Sequence, residues 1–245
     1  MGHMTAEQPK CMTRLAGRTL LEWQVAALQA AGINEIGIVR GYRKELLPDS
    51  LYHFDNLRWA ETNMVASLAC AGQWLESGPC IVSYSDIVYS PNTISSLMSS
   101  SDDIAISYNT EWRPLWEARF DDPLADAETF EIDPSGKISD IGHRPHSMDE
   151  IQGQYMGLLK FEKFGWNQVA KYLSSLTSQE IDRLDMTSLL QHLISNGIPI
   201  HGVPVSGMWY EVDTESDWAL CEKEISECSN DHWLLSNLGD TRIEI

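Results

Sequence analysis

The strongest constraint on the fold is an alternation of two hydrophobic periods that runs along most of the 245 residues. Residues 19–31 carry Leu21, Val25 and Leu28 at helical spacing, Thr19 and Glu22 form a capping box, and Gly32 stops the helix. Residues 35–39 then form a short β-branched run ending in Arg40-Gly41-Tyr42, the pattern of a buried strand reaching a loop. The couple recurs: a strand near 57–60, a helix over 64–75 with Val65, Leu68, Gly72 and Leu75 on one face, and an apolar strand over 80–84. A short helix after Ser90-Pro91-Asn92 and a strand over 104–108 continue the series. Such alternation predicts an α/β fold: a Rossmann-like, mostly parallel sheet with helices on both faces.

The texture then changes. Residues 131–138 read as a hairpin turning at Asp133 to Gly136, which predicts a small antiparallel, substrate-binding insertion over about 109–155. A returning strand is expected at 154–161, helices at 166–176 and 186–195, an apolar strand at 198–205 and a last short strand at 208–212. Thr214 with Asp217 forms a second capping box, opening a helix over 216–226. One domain over 1–228 and a polar tail over 229–245 follow from this layout. In a doubly wound sheet the first strand lies at the centre and its loop faces the ligand. This sequence opens on a polar stretch and passes straight to the first helix, so the reading is of a fold with its first strand absent.

Charge narrows the partners. With 17 Lys and Arg against 36 Asp and Glu, the net charge of −19 repels polyphosphates and anionic headgroups, which excludes nucleic acid as a partner. A nucleoside triphosphate meets the same repulsion, so a site for one requires divalent cations held by carboxylates and a few placed cations. No apolar stretch is long enough to span a membrane and no signal peptide opens the chain, so a cytoplasmic protein is expected. The five cysteines are scattered without a C-x-x-C pair, and read as reduced. Monomer or homodimer is left open.

From Pro9 the chain reads P-K-C-M-T-R-L-A-G-R-T-L-L-E-W-Q, then A-A-G-I-N-E-I-G-I-V-R-G-Y. These residues resemble the MobA-like and sugar-phosphate nucleotidyltransferases, nearest to those that activate phosphocholine and 2-aminoethylphosphonate with CTP. The resemblance spans about residues 9–220. In that family the P-K pair follows a Gly-rich loop, L-A-A-G-x-G-x-R, which has no counterpart here, and the resemblance therefore implies a chain impaired in catalysis as given. It implies an Mg2+-dependent transfer of a nucleoside monophosphate to a small phosphate or phosphonate, with release of pyrophosphate. The alternatives are a sugar-1-phosphate nucleotidyltransferase and a catalytically silent binding domain of the same fold.

The resemblance assigns roles residue by residue. Lys10 matches the lysine that contacts the nucleotide phosphates; on spacing alone it is a surface lysine beside a proline. Asp86, ending the apolar strand in S-Y-S-D-I-V, matches the family's metal-binding acid, with Ser85 where the family has glycine. Asp213 in W-Y-E-V-D-T matches the second metal aspartate, the alternative being a turn residue before a helix. Asn63 and Ser67, in E-T-N-M-V-A-S-L, match nucleotide-binding positions; Asn63 serves equally as a helix cap and Ser67 as packing. Trp112, Trp116, Tyr155 and Trp209 are candidates for an ammonium cage, with Glu150 or Asp149 as countercharge, against a core role for each. Arg113 and Arg144 are candidate phosphate clamps or surface ion-pair partners, and His143 and His146 read as loop histidines because no third metal ligand accompanies them.

Overall fold

The structure, a computed structural model, describes residues 2–227. The chain enters through short 3-10 turns at Gly2–Thr5 and Lys10–Met12 and a two-residue hairpin, β1 (Arg14–Leu15) with β2 (Arg18–Thr19). Ala16 and Gly17 both take positive φ to close it. The predicted capping box is present at Thr19 and Glu22, and it starts α1 (Leu20–Ala30).

β3 (Gly37–Arg40) pairs in parallel with β4 (Tyr52–Asp55). β4 lies earlier than the strand expected near 57–60; there the buried Asn56 side chain accepts from Arg58 N–H and donates to Thr62 and Ser67, folding that segment into a turn. The helix expected over 64–75 is broken in two, α2 (Met64–Ala69) and α3 (Gly72–Leu75), by a turn at Cys70 and Ala71. β5 (Cys80–Ser83), β6 (Ile87–Tyr89), α4 (Pro91–Ser99) and β7 (Ile104–Asn109) follow, Ser90 capping α4 through Thr93 N–H. Next come α5 (Trp112–Arg119), unforeseen from its sequence, and the antiparallel hairpin of β8 (Phe130–Ile132) and β9 (Ile138–Ile141). Gly136 turns the hairpin at φ +87°, a conformation that favours glycine.

β10 (Gln154–Phe161) runs antiparallel to both β7 and β5. α6 (Lys163–Ser174), α7 (Ser178–Arg183) and α8 (Met186–Ser195) lead to β11 (His201–Val205), which is parallel to β7. β12 (Trp209–Glu211) pairs with β6 and leads into α9 (Glu215–Glu227). The tail expected over 229–245 lies outside the described residues.

The sheet is thus mixed, in the order β11-β7-β10-β5, with the β3–β4 pair as a separate ladder. Period-two alternation sends its side chains into two cores. Ile104, Ile106, Leu159 and Phe161 meet α6 and α8 on one face, while Ala105, Met156, Leu158 and Val205 meet α1, α4 and Trp209 on the other. All six residues of β7 are buried, as a strand covered on both faces requires. Among the described residues no helix is long and apolar enough to cross a membrane.

Candidate active site

Three residues separated by up to two hundred positions meet at one end of the sheet. Asp86 follows β5 and begins β6, while Asp213 follows β12, and β6 and β12 are paired with Ile87 opposite Glu211. The ladder is extended one step by Val212 N–H donating to the Asp86 carbonyl at 2.9 Å, so backbone bonding alone holds the two aspartate segments side by side. Gln24, buried on α1, donates to the carbonyls of Tyr84 at 2.9 Å and Ile87 at 2.7 Å, bracing the turn that carries Asp86 from below.

The Lys10 ammonium bonds both carboxylates: Asp86 Oδ2 at 2.7 Å, and Asp213 Oδ1. Burial works to lower the lysine pKa, but the charge and hydrogen bonds of Asp86 and Asp213 outweigh it and the net shift is upward. Two carboxylates close enough to share one ammonium would repel each other without a cation between them. Asp86 Oδ1 is buried and has no hydrogen-bond partner. Among the described residues no three carboxylate, imidazole or thiol groups form a ready ligand set. Two hard oxygen donors, one with unused lone pairs, suit a hard octahedral cation such as Mg2+ whose shell is completed by phosphate oxygens and water.

Behind this pair lies a second cation that the sequence reading missed. Arg119, at the end of α5, is 3% exposed and donates to Asp217 at 2.8 Å and Glu211 at 3.0 Å, with Asp213 at 3.6 Å. Asp217 in turn accepts from the N–H groups of Asp213 and Thr214, so the capping box opening α9 also fixes the segment bearing Asp213. Burial acts to raise the Asp217 pKa, but the Arg119 and Thr214 hydrogen bonds prevail and lower it. Glu211 is pushed up to about 7, first by burial and then by the neighbouring Asp213 charge. The available signal was an arginine directly ahead of Asp121, Asp122, Asp126 and Glu128, a stretch that leaves few other cations to balance it.

The remaining candidates are dispersed. Asn63 accepts from Met64 N–H as the cap of α2, and Ser67 accepts from Asn56. Trp112, Trp116 and Trp209 are each at most 5% exposed and pack in the core: Trp116 stacks on Trp209 at 6.0 Å and 5°, meets Trp112 edge-on, and has the Arg119 guanidinium 5.2 Å from its ring centre. Their faces are therefore covered by protein, and the four aromatics do not form one open cage. Tyr155 stands apart from the three, edge-to-face with Tyr84 at 5.8 Å, two residues before Asp86, and its hydroxyl is buried without a partner. Burial raises the pKa of both phenols. Glu150 accepts from His146 N–H within its own loop, Arg113 pairs with Glu117 at 2.7 Å on the surface, and His143 pairs with Asp140 at 2.9 Å. Asp149 and Arg144 are exposed.

Comparison with known proteins adds to this geometry. A family model for MobA-like NTP transferase domains matches residues 1–141. A CTP:phosphoglutamine cytidylyltransferase of Campylobacter jejuni subsp. jejuni is 33% identical over 231 residues, which cover 87% of this chain and 91% of that protein. Among solved structures, the inositol-1-phosphate CTP transferase of T. maritima superposes with a TM-score of 0.69 at 18% identity, over 90% of this chain and 89% of that one. At that identity the likeness concerns the fold.

Proposed function

Since this chain belongs to the MobA-like NTP transferase family, we propose that it is a cytidylyltransferase that couples CTP to a small phosphate- or phosphonate-bearing acceptor. The observation that carries this reading is the convergence of Lys10, Asp86 and Asp213 at one sheet end. The choice of CTP is supported by the C. jejuni relative, whose name specifies that nucleotide.

In the proposed reaction an acceptor oxygen attacks the α-phosphorus of CTP. A new P–O bond forms, the bond from that phosphorus to the bridging oxygen of the β-phosphate breaks, and pyrophosphate leaves in line. The acceptor oxygen is already ionised near neutral pH, so no general base is needed. The task left to the protein is positioning and charge neutralisation. Lys10 would turn from the two carboxylates to the phosphates, as a point charge on a flexible stem. Asp86 and Asp213 would hold Mg2+, which when bound neutralises phosphate charge and orients the phosphate oxygens. Glu211, Asp217 and Arg119 keep Asp213 in place without facing the substrate.

For the acceptor, we favour a small molecule that carries nitrogen beside its phosphorus group. Phosphocholine and 2-aminoethylphosphonate fit this class, and so does the phosphoglutamine named for the relative. Tyr84 and Tyr155, next to the carboxylate pair, are the aromatic surfaces nearest to where such an acceptor would lie.

The test is pyrophosphate release from each of the four nucleoside triphosphates with Mg2+ and a panel of acceptors: phosphocholine, 2-aminoethylphosphonate, phosphoglutamine and hexose 1-phosphates. The expected result is turnover with CTP and a nitrogen-bearing acceptor that is lost in Asp86→Asn. Turnover with hexose 1-phosphates alone would overturn the acceptor assignment, and equal activity in Asp86→Asn would overturn the site.

A further inference from the structure

Two strand edges face one another across an apolar slot of about 730 Å3. β3 has a ladder partner only in β4, and β5 only in β10, among the described residues. Residues 37–39 of β3 and all four residues of β5 line the slot, along with Val25 and Leu28 of α1 and Leu75 of α3. β3 and β5 have the composition of central strands, G-I-V-R and C-I-V-S, yet none of their residues is buried. The neighbouring β7, of similar composition, is buried throughout. A half-exposed apolar strand whose outer N–H and C=O groups lack a ladder partner is a template for another strand. Here two such edges address the same space, from opposite sides, under a roof of helix side chains.

We propose that the slot binds one extended, apolar peptide strand from another polypeptide, hydrogen-bonded to β3 on one side and β5 on the other. The bound strand joins the β3–β4 pair to the four-stranded sheet as one continuous sheet. Apolar walls select β-branched residues on both faces, because a central strand covered on both sides reads as a continuous apolar run. The facing edges select an extended backbone with its N–H groups intact. The net charge of −19 favours a segment flanked by cations. Cys11, Ser83 and Ser85 line the end next to Asp86, so residues beyond one terminus of the bound strand emerge beside the carboxylate pair. Strand binding is independent of the reaction proposed above and is read without turnover.

The experiment is hydrogen–deuterium exchange on the full chain with and without a synthetic peptide of alternating Val and Ile flanked by Lys. The expected result is saturable one-to-one binding, with slowed exchange at Ile38, Val39, Ile81 and Val82, and a shift in fluorescence from Trp74, which also lines the slot. Replacing two peptide residues by Pro, so that each edge loses one donor, weakens binding about 30-fold, the sum of two hydrogen bonds of about 1 kcal/mol. Ile38→Lys and Val82→Lys, each checked for retained helicity, weaken it as well. No protection at either edge under saturating peptide, or equal affinity for the Pro peptide, overturns the proposal. So does protection of the same amides by self-association without peptide, which makes a second copy the occupant.

Discussion

Two cations sit within carboxylate clusters at the same end of this molecule, and they are held in opposite ways. Arg119 is 3% exposed, has one carboxylate donor contact at 2.8 Å and another at 3.0 Å, and lies against the ring of Trp116. Lys10 is 28% exposed, hangs from a 3-10 turn on a flexible stem, and bridges two aspartates of which one is 44% exposed. The buried planar guanidinium is fixed by its hydrogen-bond geometry, while the ammonium can be drawn away by a stronger anion. The contrast separates structure from chemistry: the arginine cluster positions Asp213, and the lysine cluster is the part free to respond to a polyphosphate.

The contrast breaks first if the two cations contribute alike to stability. Arg119→Met leaves Glu211 and Asp217 buried beside each other without their partner, and is expected to lose about 3–5 kcal/mol in urea unfolding. Lys10→Met is expected to cost about 1 kcal/mol or less, because its ion pairs are half-exposed. In catalysis the order reverses. Lys10→Met is expected to lower turnover by about 10²–10³ with the unfolding midpoint kept, equivalent to about 2.7–4 kcal/mol of lost transition-state stabilisation.

Gln24→Leu sharpens the contrast from below. It leaves the carbonyls of Tyr84 and Ile87 without a donor, and is expected to cost about 1–3 kcal/mol of stability while also lowering activity, since the Asp86 turn rests on it. The smallest effect concerns the thiols. Cys221, packed below the arginine cluster, is pushed up to about 12, mostly by burial and then by Asp217. A thiol raised on folding stabilises the folded state in full below its ordinary pKa of 9.0, and that contribution fades as pH rises towards 12. Iodoacetamide is therefore expected to alkylate the exposed Cys70 at pH 9 and Cys221 only well above it; equal rates at pH 9 would show the cluster to be open to solvent.

The sequence was most informative where local rules and tertiary demands agree. The caps at Thr19 and Asp217 and the hairpin turn at Gly136 depend on nearby residues, and all three are found. β10 and α8 occupy the expected residues because their apolar patterns match strands and helices of the lengths formed. The strand placed near 57–60 failed because Leu57 and Trp59, apolar but 81% and 45% exposed, lie on a turn made by the Asn56 side chain. Local apolar content could not reveal that long-range bond. Lys10, Asp86 and Asp213 were legible through the resemblance; that they touch depends on the β6–β12 pairing, which no local pattern encodes. Aromatic residues are ambiguous by nature, since the same ring suits a core or a binding face, and three tryptophans took the core. Arg119 was invisible because its significance is entirely its three partners, which come from a distant strand end and helix.

The most direct test of the two-aspartate site is a Mn2+ titration of the chain with CTP, followed by electron paramagnetic resonance in the wild type and in Asp86→Asn. Asp86 and Asp213 acting together predict a bound Mn2+ signal in the wild type that Asp86→Asn and Asp213→Asn each abolish while Arg113→Ala leaves it intact. Retention of the same bound signal in both aspartate variants would contradict it.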